Sequence, residues 1–273
     1  MERVVSHALE EDIGYGDITT NSIVPYEQQG RAVLHTKEPG VIAGLEVAET
    51  VFRQVDRNLV ITRHVQDGDH VASDQVLLEV HGSARSILTA ERTALNFLQR
   101  LSGIATRTSK FVELTRYYNA KIVDTRKTTP GLRALERYAV VVGGGRNHRF
   151  GLFDSVLIKT NHVEIAGGVK KAIMAARHHI PHTMRVEVEV DSLEQIDEAL
   201  EVKADIIMLG NMSTEQMREA VEKVAGRALI EASGGITEGT IVDIAKTGVD
   251  FISIGALTHS VKALDISLDI EAK

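Results

Sequence analysis

Residues 185–209 read RVEVEVDSLEQIDEALEVKADIIML, and this stretch decides the fold class. Its two ends are β-branched runs, which predict strands. The segment between them, Ser192–Leu200, begins with a serine that can cap a helix and continues with apolar residues at helical spacing. A strand, a helix and a second strand in succession indicate parallel strands that are joined by a right-handed crossover.

The same alternation of strand and helix extends over the second half of the chain. A further helix begins near Ser213, with Gln216 at the spacing of a capping box. The predicted strands of this half are Lys121–Val123, Ser155–Ile158, Arg185–Val190, Asp205–Leu209, Ala228–Glu231 and Phe251–Ile254. Six such units, without an early GxGxxG motif, favour an α/β barrel over an open doubly wound sheet.

Residues 1–115 follow a different pattern. Short alternating segments such as Arg31–Thr36 and Val76–His81, separated by Asp-Gly and Pro-Gly pairs, predict a small antiparallel β region. Ala84–Thr115 predicts a long helix, because leucines recur there at spacings of three and four. We therefore expect an α/β fold with an N-terminal domain over residues 1–115 and a barrel domain over residues 116–273, whose last residues pack back on the N-terminal domain.

The composition argues against several classes of protein. The 273 residues include no cysteine, which excludes disulfides and Cys-ligated metal sites. The 31 basic and 38 acidic residues leave a net charge of −7, which argues against a general binder of nucleic acid or of anionic membranes. The N-terminus lacks the apolar core of a signal peptide, and no run of 18 apolar residues occurs. We expect a cytoplasmic protein.

Residues 126–159 concentrate positive charge in an otherwise acidic chain. This segment holds seven basic and two acidic side chains, and it follows the strand that ends in DTRKTTPGLR, residues 124–133. Such a region predicts a compact anionic ligand. The basic candidates at the predicted strand ends, which in a barrel share one face, are Arg126, Lys127, His148, Arg149 and Lys159. A solvated charged face is the alternative.

Two other features belong to the same predicted face. Small residues after the last two strands, Ser233-Gly234-Gly235 and Gly255-Ala256, let backbone N–H groups approach a phosphate, with tight turns that bind no ligand as the alternative. Glu187 and Glu189 are two residues apart on one strand and therefore point to the same side. Carboxylates inside a barrel require cations, either Mg²⁺ or a nearby Lys or Arg.

Several motifs run in order along nearly the whole chain. They are EDIGYGDITT (11–20), TAERTALN (89–96), LSGIAT (101–106), DTRKTTPGLR (124–133), GGGRNHR (143–149), VEVEV (186–190), EASGGI (231–236) and GALTHS (255–260). Together they resemble the quinolinate phosphoribosyltransferase family. The resemblance implies an N-terminal α/β sandwich followed by an incomplete α/β barrel. It also implies a homodimer in which the N-terminal domain of one subunit covers the barrel mouth of the other.

The activity implied by the resemblance is that of a carboxylating nicotinate-nucleotide pyrophosphorylase. This enzyme transfers phosphoribose from phosphoribosyl pyrophosphate to quinolinate with loss of CO₂, requires Mg²⁺, and makes nicotinate mononucleotide for NAD biosynthesis. By resemblance, Arg92 would reach into the site of the partner subunit. The residues that would hold the quinolinate carboxylates are Arg126, His148, Arg149 and Lys159, with Lys127 close to them and to the pyrophosphate.

The resemblance also implies how the second substrate is held. Glu189 would serve the Mg²⁺-bound ribose pyrophosphate and would be the metal ligand. The residues that would line the site for the 5′-phosphate of phosphoribosyl pyrophosphate are Ser233, Gly234, Gly235, Gly255 and His259. The residues expected to act in catalysis are Lys127, Lys159 and Glu189.

The chain departs from the family pattern at two positions. Gly210 stands where the family usually has an aspartate that helps bind metal and ribose, and Thr160 stands where it usually has an acid. Two alternatives therefore stay open. One is a related phosphoribosyltransferase-like paralogue with another anionic substrate, and the other is a non-catalytic anion-binding protein on a barrel scaffold.

Overall fold

The computed structural model describes residues 1–272. Its helices are α1 (Glu2–Ile13), α2 (Ile18–Ile23), α3 (Leu45–Val55), α4 (Ala84–Thr115), α5 (Arg133–Val142), α6 (Thr160–Ala166), α7 (Val169–His179), α8 (Leu193–Glu201), α9 (Thr214–Val224), α10 (Ile241–Ala245) and α11 (Ala256–His259). Its strands are β1 (Gln29–Thr36), β2 (Gly40–Val41), β3 (Val60–Arg63), β4 (His70–Val71), β5 (Val76–Ser83), β6 (Lys121–Val123), β7 (Val156–Ile158), β8 (Val186–Val190), β9 (Ile206–Gly210), β10 (Leu229–Ser233), β11 (Phe251–Ser253) and β12 (Ile266–Ala272).

The chain forms two compact units. The first contains residues 1–109 and 128–144 together with the chain from Leu257 onward. The second contains residues 110–127 and 145–256. The division between residues 115 and 116 that the sequence suggested stays a prediction.

The first unit is built on an antiparallel sheet with the strand order β12-β1-β5-β3. Burial alternates along β1, where Ala32, Leu34 and Thr36 are inaccessible, so one face of the sheet packs against the interior. The long helix α4 has the bounds that the sequence predicted. Gly103 on α4 lets the C-terminal segment approach closely, because a Cβ there would lie 2.3 Å from the carbonyl oxygen of Lys262.

The second unit is built on a parallel sheet with the strand order β6-β11-β10-β9-β8-β7 in the described part of the chain. β6 and β7 follow one another in sequence but lie at opposite edges of this sheet, so the barrel is incomplete. The strand-and-helix alternation, and with it the α/β fold class, is confirmed. Both predicted serine caps are also present: Ser192 accepts the N–H of Gln195, and Ser213 forms a capping box with Gln216.

Alternation along β8 determines what this unit can present to a ligand. Val186, Val188 and Val190 are completely buried. Glu187 and Glu189 lie on the opposite face of the strand, as the sequence predicted, since successive side chains of a strand alternate. Within residues 1–272, no helix has both the length and the apolar character needed to cross a bilayer.

Candidate active site

The carboxyl ends of the six parallel strands lie at one edge of the second unit, and most of the predicted site residues lie at these ends or after them. Those in this unit are Arg126, Lys127, His148, Arg149, Lys159, Glu189, Ser233, Gly234, Gly235 and Gly255. Two predicted residues lie in the first unit instead. Arg92 is exposed on α4, and His259 is exposed at the end of α11, with its Nδ1 2.6 Å from the hydroxyl of Ser260.

Two partly buried arginines give this edge its positive charge. Burial and then the charge of Arg126 lower the pKa of Arg149, while the carboxylate of Glu187 opposes this shift. The Nη1 of Arg149 donates to the carbonyl oxygen of Ser155 at 3.1 Å, which fixes the direction of the guanidinium. An anion that bound between these arginines would relieve their mutual repulsion.

Two lysines add charge that is more exposed. Lys159 follows β7, and its Nζ lies 3.7 Å from Oε2 of Glu189. The side chain of Lys159 is 52% exposed and that of Glu189 is 19% exposed, so this pair is screened by solvent. Lys127 is exposed, and its backbone N–H donates to the hydroxyl of Thr125 at 3.1 Å. Both ammonium groups can therefore meet a ligand at the end of the barrel.

His148, Glu187 and Glu231 form a buried cluster. Nε2 of His148 lies 3.1 Å from Oε2 of Glu187 and 3.6 Å from Oε1 of Glu231, and the two carboxylates are no more than 5% exposed. Burial lowers the pKa of His148, but the hydrogen bond to Glu187 and the charge of Glu231 outweigh it, and the pKa lies above its ordinary value. Burial and then the charge of Glu187 raise the pKa of Glu231 to about 7.

The hydrogen bonds of His148 do not suit a metal site, although the cluster is compact enough. One ligand atom from each of its three side chains lies within 4.8 Å of the others. Nδ1 of His148, however, accepts the backbone N–H of Arg149 at 2.7 Å. The neutral ring then carries its proton on Nε2, the atom that would have to bind the metal. As arranged, the cluster does not fit a metal ion.

Glu189 fits a magnesium site better. It is partly exposed, and the neighbouring Gly210 at the end of β9 places no side chain against it. A Cβ on Gly210 would lie 3.1 Å from Oε1 of Glu189. Mg²⁺ in proteins is commonly held by one or two carboxylates together with substrate phosphates. A single, partly exposed carboxylate suits Mg²⁺ that arrives with a phosphorylated substrate.

The loop after β10 has the backbone conformation that a phosphate-binding turn needs. Gly234 and Gly235 both have positive φ, +98° and +62°. A Cβ on Gly234 would lie 2.1 Å from Oδ1 of Asn211, so a side chain at this position would displace the side chain of Asn211. The backbone N–H of Asn211 donates to the carbonyl oxygen of Ser233 at 3.1 Å, which ties the two strand ends together.

Sequence reasoning missed two residues that shape this site. Glu231 meets Glu187 and His148; in the sequence it begins the motif EASGGI and lies two residues before Ser233, so it shares the side of Ser233 on β10. Asp124 is completely buried, and its Oδ1 accepts the backbone N–H of His148 at 2.7 Å. Its place directly after β6 was visible in the sequence, but its partner was not.

Two consecutive parts of the chain match models of the two domains of one protein family. A model of the N-terminal domain of quinolinate phosphoribosyl transferase matches residues 17–102. A model of the C-terminal domain of the same protein matches residues 104–269. Together the two matches span most of the chain.

Individual proteins are similar over almost their whole length. Nicotinate-nucleotide pyrophosphorylase (carboxylating) of Mycobacterium leprae is 48% identical over 273 residues, which cover 97% of this chain and 95% of that protein. A probable enzyme of the same name from Bacillus subtilis is 43% identical over 270 residues, which cover 99% of this chain and 93% of that protein.

Solved structures agree with the fold. The crystal structure of NadC from Streptococcus pyogenes has a TM-score of 0.96 at 45% identity, covering 100% of this chain and 96% of that one. The structure of the nicotinate-nucleotide pyrophosphorylase from Francisella tularensis has a TM-score of 0.95 at 46% identity, covering 99% of this chain and 95% of that one. The N-terminal sheet domain and the incomplete barrel are thus confirmed.

Proposed function

Because this chain belongs to the quinolinate phosphoribosyltransferase family, we propose that it transfers phosphoribose from phosphoribosyl pyrophosphate to quinolinate and releases CO₂. The products are nicotinate mononucleotide and pyrophosphate, and the reaction supplies NAD biosynthesis. Support comes from relatives with this activity in their names that are 43% and 48% identical over nearly the full chain.

The observation that carries this proposal is the pair Arg126 and Arg149. Quinolinate has two adjacent carboxylates, and a planar guanidinium binds a carboxylate through two parallel hydrogen bonds. Two arginines that are close enough for one to lower the pKa of the other suit a dianion better than a monoanion. Lys159 and Lys127 complete the positive surface for the carboxylates and the pyrophosphate.

Phosphoribosyl pyrophosphate is proposed to bind along the ends of β8, β10 and β11. The backbone N–H groups near Ser233, Gly234, Gly235 and Gly255 would receive the 5′-phosphate. Glu189 would hold Mg²⁺ together with the pyrophosphate oxygens. When bound, the metal neutralises charge that develops on the leaving pyrophosphate.

The chemistry needs no nucleophilic side chain. The pyridine nitrogen of quinolinate forms a bond to C1 of the ribose as the bond from C1 to pyrophosphate breaks. The 2-carboxylate then leaves as CO₂, and the electron pair of the broken bond stays on C2, where the adjacent positive ring nitrogen stabilises it until C2 takes up a proton. Lys127 and Lys159 stabilise negative charge on the leaving group and on the bound carboxylates. Residues that position the two substrates and neutralise their charge are sufficient for these steps.

We further propose that the enzyme is a homodimer in which Arg92 of one subunit contributes to the site of the other. Arg92 is exposed on α4 within the motif TAERTALN, which supports a role outside its own unit. The 5′-phosphate role of His259 and the cytoplasmic location expected from the sequence stay predictions.

The decisive experiment supplies the purified protein with quinolinate, phosphoribosyl pyrophosphate and Mg²⁺ and follows nicotinate mononucleotide and CO₂ together. We expect both products in equal amounts, with none when nicotinate replaces quinolinate. Quinolinate binding without turnover would favour the non-catalytic alternative. Turnover of phosphoribosyl pyrophosphate only with a different anion would favour the paralogue, to which Gly210 and Thr160 could be adapted.

A further inference from the structure

The charged pair Arg126-Lys127 lies in a short connection whose two ends are fixed by hydrogen bonds. At the first end, directly after β6, the backbone N–H of Asp124 donates to the carbonyl oxygen of Arg146 at 3.1 Å. The second end is Thr129, two residues after Lys127, where the chain turns toward α5. The backbone conformation of the charged pair therefore depends on how firmly Thr129 is held.

Thr129 is held by Arg100 on α4 and Glu136 on α5. Its hydroxyl oxygen accepts Nη2 of Arg100 at 2.7 Å, and its backbone N–H donates to Oε2 of Glu136 at 3.1 Å. These two partners are fixed by each other, since Arg100 also donates to Oε1 of the completely buried Glu136. Hydrogen bonds to charged groups are stronger than those between neutral groups, so Thr129 is firmly placed.

The residues after Thr129 form a tight turn that leads into α5. The carbonyl oxygen of Thr129 accepts the backbone N–H of Leu132 at 3.0 Å. Pro130 is the second residue of this turn, and Gly131 is the third, with a φ of +82°. These residue types and this conformation are those of a type II turn. Proline restricts its own φ, so the turn has few other conformations.

A second side chain of α5 holds the residue before Thr129. Nε of Arg133, the first residue of this helix, donates to the hydroxyl oxygen of Thr128 at 3.0 Å. Thr128 directly follows Lys127 in the chain. Two consecutive residues after the charged pair are thus hydrogen-bonded through their side chains to arginines on α4 and α5.

We propose that Arg100 and Glu136 are positioning residues for quinolinate binding, which act through Thr129. By holding Thr129, they keep the backbone of Arg126 and Lys127 in the conformation that meets the substrate. A connection that was free at this end would have to be ordered on binding, and the loss of conformational entropy would weaken binding. This inference rests on the proposed function, since it takes Arg126 to bind a quinolinate carboxylate.

Two substitutions of Thr129 isolate the bond to Arg100. Thr129→Val removes the hydroxyl but keeps the shape of the side chain and the backbone N–H that Glu136 accepts. Thr129→Ser keeps the hydroxyl and is the matched control. Both leave every charge of the site in place, and valine readily adopts the extended backbone that a residue before proline favours.

We expect Thr129→Val to have a KM for quinolinate about five- to tenfold higher than that of Thr129→Ser, because only the valine variant loses a hydrogen bond from a charged donor. A purely structural role would lower the amount of folded enzyme, and with it the apparent kcat, but would leave the KM unchanged. Equal KM values in the two variants, or a higher value in Thr129→Ser, would overturn the proposal.

Hydrogen exchange followed by mass spectrometry, on protein without substrates, gives a reading that needs no turnover. Peptides that span residues 124–132 should exchange faster in Thr129→Val than in Thr129→Ser, while peptides from β8 and β9 should not differ. Equal exchange of residues 124–132 in both variants would refute the positioning role. If this exchange differed as expected but the wild-type protein did not turn over quinolinate, the proposed function would fail and the fixation of the segment by Arg100 would stand.

Discussion

The guanidinium of Arg100 donates from Nε and Nη2 to the same oxygen, Oε1, of the completely buried Glu136, at 2.8 Å and 2.6 Å. Oε2 of Glu136 accepts the backbone N–H of Thr129 at 3.1 Å, and Arg100 also donates to the carbonyl oxygen of Thr258 at 3.1 Å. One ion pair therefore joins α4 and α5 to the loop at Thr129 and to α11 at Thr258.

Loss of the cation should destabilise this unit strongly. We expect Arg100→Met to lower the free energy of unfolding by about 3–5 kcal/mol, because it leaves the carboxylate of Glu136 buried without a compensating charge. Thermal or urea unfolding measures the effect. The control is the double variant Arg100→Met/Glu136→Gln, which is neutral at this site and keeps an acceptor for Thr129. A double variant no more stable than Arg100→Met would show that buried charge is not the cause.

Glu231 should make the stability of the protein depend on pH. Folding raises its pKa from 4.5 to about 7, mainly through burial, so the folded chain keeps a proton that the unfolded chain releases above about pH 4.5. This group therefore favours the folded state at low pH, and its contribution is lost as the pH rises through about 7. The charged groups that face it are Glu187, His148 and Lys159.

Glu231→Gln removes that titration. We compare the free energy of unfolding of the variant with that of wild type. We expect this difference, variant minus wild type, to be larger at about pH 8 than at about pH 5 by an amount on the order of a few kcal/mol. The measurement is the unfolding midpoint of both proteins at the two pH values. Groups that titrate equally in the two proteins drop out of the difference between them. A constant difference across this range would mean that Glu231 ionises normally in the folded protein.

Gly210→Asp should restore a second carboxylate at the proposed metal site. The φ of Gly210 is not in the left-handed region, so the backbone accepts a side chain; a Cβ at this position would lie 3.1 Å from Oε1 of Glu189, so the Glu189 side chain has to move by a few tenths of an ångström. We expect the Mg²⁺ concentration for half-maximal rate to fall about tenfold, or about 1.4 kcal/mol of added affinity.

The matched control is Gly210→Asn, which adds nearly the same volume without charge and should not tighten Mg²⁺ binding. Calorimetric titration of Mg²⁺ into protein without substrates gives a second reading that is independent of turnover. Equal Mg²⁺ dependence in Gly210→Asp and wild type would argue that this position does not contact the metal.

Arg149→Lys should raise the KM for quinolinate about tenfold, because an ammonium cannot form the two parallel hydrogen bonds of a guanidinium. Initial rates at varied quinolinate measure it. Arg146→Lys is the control on the same loop, since the Arg146 side chain is exposed and the backbone of Arg146 bonds to Ile122 through its N–H and to Asp124 through its carbonyl oxygen. A similar loss in both variants would indicate that general positive charge, not the shape of Arg149, binds the substrate.

Local features of the fold were predictable because they depend on residues close in sequence. The bounds of α4 followed from leucine spacing, and the caps at Ser192 and Ser213 from residues three positions apart. The parallel sheet followed from the alternation of strands and helices.

The detailed site depends on contacts between residues distant in sequence, and no local pattern encodes those. The sequence could place Glu187 and Glu189 on one side of β8, but not show that the first meets His148 and the second Lys159. Glu231 escaped notice for the same reason. The acceptor role of His148 Nδ1 depends on the backbone conformation at Arg149, which composition and spacing do not reveal.

The pairing of β12 with β1 has a consequence for how the protein is made. β1 lies between β5 and β12, with Gly30 opposite Ala272 and Thr36 opposite Ile266. A ribosome must therefore translate residues 266–272 before β1 gains its second neighbour. Until then β1 is an open edge that another nascent chain could extend. Pairing of β12 with β1 thus covers an edge that could aggregate, and a truncation before Ile266 would leave that edge exposed.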